Sequence, residues 1–270
     1  MTAGGVRPLS PPRRRGISPL GYLRVGLRVA GLGALLSVSV PSYYAWRSFT
    51  RRNPWPRLFL GGAGAIMGLR ISVRGRVASR GSVLLANHVS WLDIPALSGR
   101  TGSAFVAHDG LAAHPVLRWL CSLNETVFVA RHERSAVARQ VEQIRLALKE
   151  TGALTIFPEG GIADPATISP FKSSLLSATA PVPDGIAVQP VWLDYGPDTG
   201  KIAWIGEERG LDNFVKIAAH GGGIRLTVHF LPPLTGPALA SRKSIAAAAY
   251  EAIAARKREV EAARDQRVAL

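Results

Sequence analysis

The 270-residue chain has one cysteine, Cys121, so no disulfide can close within it, and its histidines show no zinc-ligand spacing with cysteine or carboxylate. Neither staple can hold the fold, so a packed core must, and no metal is expected. Aromatic residues make up only 7% of the chain, with no RNA-recognition or helix-turn-helix signature and no glycine-rich nucleotide loop after a strand. Nucleic acid is therefore not an expected partner. Acidic residues are absent from one end. The first 80 residues hold 14 Arg and no Asp, Glu, Lys or His, leaving 19 basic against 18 acidic residues in the other 190. Nearly all of the net charge of +15 thus belongs to the N-terminal segment.

Apolar sequence accompanies that charge. After a Pro-, Arg-, Gly- and Ser-rich tail over 1–20, expected to be disordered, residues 29–46 and 58–69 are uncharged runs of 18 and 12 residues. Residues 21–69 read as a hydrophobic helical, membrane-associating arm. A bilayer span needs about 20 predominantly apolar residues. The longer run includes Ser37, Ser39, Pro41 and Ser42, so it either spans or lies in the interface as a hairpin. Arg13, Arg14 and Arg15 before an apolar run also fit a secretory signal, but no small-x-small cleavage site precedes Tyr43, Tyr44 and Trp46. Those aromatics, flanked by Arg47, Arg51 and Arg52, have the composition of an interface anchor. A buried helix followed by a solvated charge run is the alternative.

From Ile71 short apolar runs alternate with amphipathic stretches, the pattern of an α/β domain over 70–240. The expected strands are 71–77, 82–87, 103–107, 126–130, 153–157, 187–193, 201–205 and 224–230. Val137, Val141, Ile144 and Leu148 form one stripe of a helix over 134–150, which leads into a strand and so packs on a sheet. Within 241–270, the Ala-rich, charge-ended stretch 242–263 reads as a surface helix that frays.

The sharpest local signal is Asn87-His88-Val89-Ser90-Trp91-Leu92-Asp93. In one continuous helix, residues five apart lie about 140° around the axis and could not share a proton. The chain must bend: a strand ending at His88, a tight turn and a helix from near Ser90 would bring Asp93 back to the imidazole. Asp93 would then hold one ring nitrogen as N–H and leave the other as a base. Ser90-x-x-Asp93 before an apolar run also fits a capping box, and both roles can hold together.

The segment NHVSWLD resembles the NHxxxxD signature of the glycerolipid acyltransferases, and three further blocks follow in that family's order. Phe128-Val129-Ala130-Arg131 is similar to the second block, Phe157-Pro158-Glu159-Gly160 matches the third, and Val188-Gln189-Pro190-Val191 is similar to the fourth. The resemblance implies a mixed central α/β sheet flanked by helices, behind the hydrophobic arm. It implies transfer of an acyl group from acyl-CoA or acyl carrier protein, as co-substrate and without a cofactor, to the free hydroxyl of a lysophospholipid. The first expectation is 1-acylglycerol-3-phosphate giving phosphatidic acid; lyso-ornithine lipid is the alternative acceptor, and a non-catalytic lipid-binding relative the second. His88 would be the general base and Asp93 its orienter, while Asn87, Phe128, Arg131, Glu159, Gly160 and Lys172 would line the substrate site. Such an enzyme would work at the cytoplasmic face of the cell inner membrane, against an anionic surface.

The departures concern the acceptor. Where phosphate-using members continue with Thr-Arg-Ser, this chain has Gly161-Ile162-Ala163, which offers an anion nothing. Glu125 stands where the second block usually opens with glycine, and His108 where a lysine is common. The run FPEGGIADPATISPFKSSL, followed by VQPVWLDY, is more similar to the lyso-ornithine lipid branch, whose acceptor is a phosphate-free aminolipid. A covalent mechanism through Ser90 or Cys121 is disfavoured: Ser90 lacks a Gly-x-Ser-x-Gly elbow and Cys121 sits in an apolar stretch.

Overall fold

A computed structural model describes residues 16–78, 81–108, 114–129, 137–162, 167–179, 182, 185–204 and 208–268. Helix α1 (Pro19–Arg47) opens at Ser18, whose hydroxyl accepts the Gly21 N–H at 3.2 Å, with Pro19 at the first position, where no N–H is needed. Helix therefore begins inside the tail expected to be disordered; residues 1–15 of that tail lie outside the described residues. After α2 (Trp55–Ile66), the described residues build seven strands: β1 (Leu69–Arg74), β2 (Ser82–Ala86), β3 (Ala104–His108), β4 (Val127–Val129), β5 (Ala153–Ile156), β6 (Ala187–Asp194) and β7 (Ile224–Phe230). They form one sheet in the order β1-β7-β6-β2-β5-β3-β4, parallel at every junction except β6 with β7. The remaining helices are α3 (Asp93–Thr101), α4 (Pro115–Leu123), α5 (Val137–Thr151), α6 (Thr199–Ile202), α7 (Gly210–Ala219) and α8 (Arg242–Val268). The architecture is the mixed, helix-flanked α/β sheet expected.

Strand β2 is buried along its whole length, which is why it reads as an unbroken apolar run. Leu84 and Ala86 face a core with Leu92 and Leu97 of the α3 region and Ile217 of α7. Val83 and Leu85 face the opposite core, with Ile144 and Leu148 of α5 and Ile245 of α8. The crossover from β2 through α3 and the return through α5 to β5 thus run on opposite faces of the sheet. In open α/β sheets the ligand site lies outside the carboxyl ends of the strands, which here is where β2 and β5 deliver residues 87–93 and 157–160. Helix α2 sits tightly on α3: a Cβ at Gly99 would lie 2.6 Å from the Gly61 Cα, so only glycine permits this crossing.

Three expectations are corrected. Residues 201–205 were expected as a strand; residue 205 lies outside the described residues, and Lys201 and Ile202 end α6, because Lys201 bonds back to Asp198 at 2.7 Å and closes a helical turn. The first strand is Leu69–Arg74 rather than 71–77; it ends at Gly75 (φ 79°), where a Cβ would strike the Phe230 carbonyl. Helix α8 is not a fraying surface helix throughout, since Ile245, Ala246, Ala249 and Ile253 are buried.

Candidate active site

Between the end of β2 at Ala86 and the start of α3 at Asp93 the chain turns, and the His88 Nδ1 lies 2.8 Å from Asp93 Oδ2. That oxygen also accepts the Val89 and Ser90 N–H groups at 2.7 and 3.0 Å. The other, Oδ1, accepts the hydroxyl of Tyr195 at 2.7 Å. Asp93 is fully buried, so four donors replace the water it has lost. The capping arrangement differs from a capping box. Leu92 is the N-cap, and the Asp93 carboxylate secures N–H groups of the turn before the helix rather than of the helix itself. Securing that turn and orienting the imidazole are one act.

The imidazole stacks on Phe157, with ring centroids 4.1 Å apart, and its side chain keeps 17% exposure. With Nδ1 on Asp93, Nε2 makes no hydrogen bond among the described residues. Glu159, following β5, accepts the His88 N–H on Oε1 at 2.8 Å and the Ser169 N–H on Oε2 at 2.9 Å. Burial pushes its carboxyl above the usual range against the opposing pull of those two N–H groups. Gly160 takes φ 75°, and a Cβ there would meet Lys172 Nζ at 3.1 Å, so the lysine chain folds across the glycine.

The loops after β2 and β5 therefore gather His88, Asp93, Glu159, Gly160 and Lys172. Asn87 is buried beside them, but its amide is engaged with protein: Oδ1 accepts the Leu193 N–H at 2.7 Å and Nδ2 donates to the Leu193 carbonyl at 3.2 Å. Phe128 lies on the edge strand β4, with β3 and β5 between it and β2, about 14 Å away at the usual strand spacing. Arg131 lies outside the described residues, as do Ala163 and the three that follow it. Sequence reasoning missed Tyr195, whose only local cue is the VQPVWLDY run quoted as a marker of a branch. Glu125, where the family favours glycine, adopts a left-handed φ of 52° and pairs with Arg47 at 3.0 Å. A cleft of about 810 Å³ opens elsewhere, lined by Ser82, Ala153 and Glu150 at the amino ends of the strands, on the opposite edge from His88.

Residues 70–194 match the family model described as Acyltransferase. The chain is 30% identical over 262 residues to the lyso-ornithine lipid O-acyltransferase of Rhodobacter capsulatus, covering 90% of this chain and 93% of that one. It is 35% identical over 148 residues to the 1-acyl-sn-glycerol-3-phosphate acyltransferase of Neisseria gonorrhoeae, covering 52% and 56%. The crystal structure of the 1-acyl-sn-glycerophosphate acyltransferase PlsC from Thermotoga maritima superposes with a TM-score of 0.61 at 21% identity, over 90% of this chain and 98% of that one. That last likeness is one of fold.

Proposed function

The chain belongs to the acyltransferase family, and on that premise we propose that it esterifies the free hydroxyl of a lyso-ornithine lipid with a fatty acyl group from acyl-CoA or acyl carrier protein. The observation that carries the chemistry is the 2.8 Å contact of His88 Nδ1 with a buried, fully hydrogen-bonded Asp93. In this reading Nε2 takes the hydroxyl proton as the oxygen attacks the thioester carbonyl. The C–O bond forms, the tetrahedral oxyanion collapses, the C–S bond breaks, and the imidazolium returns its proton to the departing thiolate. No acyl-enzyme is required. The N–H groups of residues 88, 89 and 90 already serve Glu159 and Asp93, so the oxyanion draws its donor from elsewhere. The Lys172 ammonium, folded over Gly160, is the cation we assign to that loop.

The acceptor rests on two supports: similarity to lyso-ornithine lipid O-acyltransferases over nearly the full chain, and the absence of an anion-binding side chain at Gly161 and Ile162. The second reading, 1-acylglycerol-3-phosphate, is favoured by Lys172, a cation placed on the same loop. Purified protein given radiolabelled acyl donor and either lysolipid separates them, with His88→Ala as control. We expect O-acylated ornithine lipid as the dominant product and none from the variant; a strong preference for the phosphate lipid refutes the acceptor assignment.

The membrane is the second partner in this proposal. Arg28 donates to the Ile217 and Ala218 carbonyls at 3.0 and 3.1 Å, and Arg47 reaches Glu125 and Glu150 at 3.0 and 3.3 Å. Those arginines are about 28 Å apart along α1 at 1.5 Å per residue. A helix held at both places to one domain lies along the interface rather than across the bilayer, with Leu23, Leu27, Val38, Trp46 and Phe49 turned outwards. On this reading the enzyme is monotopic, on the cytoplasmic face of the inner membrane, where its acyl donors are found.

A further inference from the structure

Asp93 is gripped from two sides. His88, Val89 and Ser90 approach Oδ2, while the Tyr195 hydroxyl alone approaches Oδ1, at 2.7 Å. Tyr195 follows β6, is 2% exposed, and its hydroxyl has no other partner among the described residues. Its backbone is itself anchored. Leu193, two residues earlier, is locked to Asn87, and the Asp194 carboxylate accepts the Gly196 N–H at 2.9 Å and pairs with Arg264 of α8. The end of β6 thus holds both ends of the 87–93 turn, one by a side-chain amide and one by a phenol.

We infer that Tyr195 is a positioning residue for acyl transfer: its O–H fixes Asp93 Oδ1 and, by drawing negative charge to that oxygen, sets how tightly Asp93 holds the protonated imidazole of His88. The inference rests on the reading of His88 as the base. Burial and the adjacent Asp93 charge keep the phenol protonated far above its ordinary range, so Tyr195 acts as a donor throughout the working pH. Without that donor the carboxylate charge concentrates towards His88, the imidazolium is held more tightly, and the acid limb of the rate profile moves to higher pH. A stronger donor moves it the other way. Glu159 also faces the imidazole, but its carboxylate is fixed by the His88 and Ser169 N–H groups and is unchanged in every variant. Phe157, on the open ring face, carries no charge.

The test uses the full chain in lysolipid–detergent micelles, with kcat and KM followed across pH for the parent, Tyr195→Phe, His88→Ala and a chain carrying 3-fluorotyrosine at 195. Tyr195→Phe leaves no void; with Asp93 gripped from one side alone, misorientation of the imidazole is expected to outweigh its tighter electrostatic hold and to lower kcat about tenfold, with KM changed less than about twofold. Its acid limb should move up by about half a pH unit, and that of the fluorotyrosine protein, a stronger donor, should move down. A loss of equal size at every pH with an unmoved limb, or no loss at all, overturns the inference. Should Tyr195→Phe fail to fold, the fluorotyrosine protein decides alone, and an unmoved limb there is equally fatal. Turnover retained by His88→Ala defeats the base assignment itself, which the other outcomes leave standing.

Discussion

Replacing Asp93 by Asn separates the two duties of that carboxylate. The amide oxygen can take the place of Oδ2, keeping the His88, Val89 and Ser90 donors, while the amide N–H₂ turns to Tyr195, whose hydroxyl can rotate to accept. Geometry survives and charge is lost. The charge matters only once the imidazole is protonated, in the transition state. With about 4 Å between charge centres and an effective dielectric of about 20, the lost attraction is about 4 kcal/mol, or about a thousandfold in kcat. Asp93→Ala is a different perturbation. It strands the buried Val89 and Ser90 N–H groups, each worth about 1–3 kcal/mol when unsatisfied, and should unfold the site. Continuous detection of released thiol against lysolipid concentration, with a melting curve for each variant, distinguishes them. We expect Asp93→Asn to melt within a few degrees of the parent, hold its KM and lose kcat. Retention of more than a tenth of parental kcat would show that the buried anion does not serve the reaction.

Four further outcomes follow from the structure. Gly160→Ala forces a side chain into φ 75° against Lys172 and Leu175, which should cost about 1–2 kcal/mol of stability and raise the acceptor KM; an unchanged KM would remove this loop from the acceptor site. Cys121→Ser should leave turnover within about twofold, since burial raises the thiol and disfavours its thiolate; loss of activity with a normal melting curve would reopen the covalent route. Phe49, 89% exposed just beyond α1, should contribute about 2 kcal/mol to membrane partition, so Phe49→Ser should weaken binding to anionic vesicles about 30-fold. Burial alone would raise the Asp198 carboxyl, but bonds from Lys201 and Arg225 override it and hold the group well below its ordinary range. Its contribution is therefore complete above the unfolded value of about 3.9 and is lost as pH falls below it; melting temperature should drop there, and less steeply in Asp198→Asn.

What the sequence revealed and what it hid divide by the range of the interaction. The His88 and Asp93 pairing was legible because two residues five positions apart cannot share a proton on one continuous helix, so pairing them required a turn. Glu159 and Gly160 were legible as a turn after a strand, and their place beside His88 came from the family resemblance. Tyr195 was not, because its partner lies 102 residues away and no local period connects them. Residues 201–205 failed for the opposite reason: a short apolar run is a strand signal only when no side chain closes the backbone into a turn, and Lys201 with Asp198 does. The arm's composition announced a membrane, but the anchoring of α1 on the domain that carries the sheet became visible only with Arg28 and Arg47 placed.

The departures of this chain from its family pattern also take on physical meaning once placed. An arginine or a threonine after Gly160 would give an anion side-chain donors in that loop; Gly161 and Ile162 carry none, and the Glu159 carboxylate, an acceptor of two backbone N–H groups, cannot donate in their place. Glu125 presents the converse case. A residue with a Cβ in the left-handed region costs about 1–2 kcal/mol, which glycine would avoid. Its half-exposed pair with Arg47 is worth less than that on its own. Stability therefore does not account for glutamate at this position. What the carboxylate adds is a tether: through Arg47 it ties the far end of α1 to the domain that carries His88.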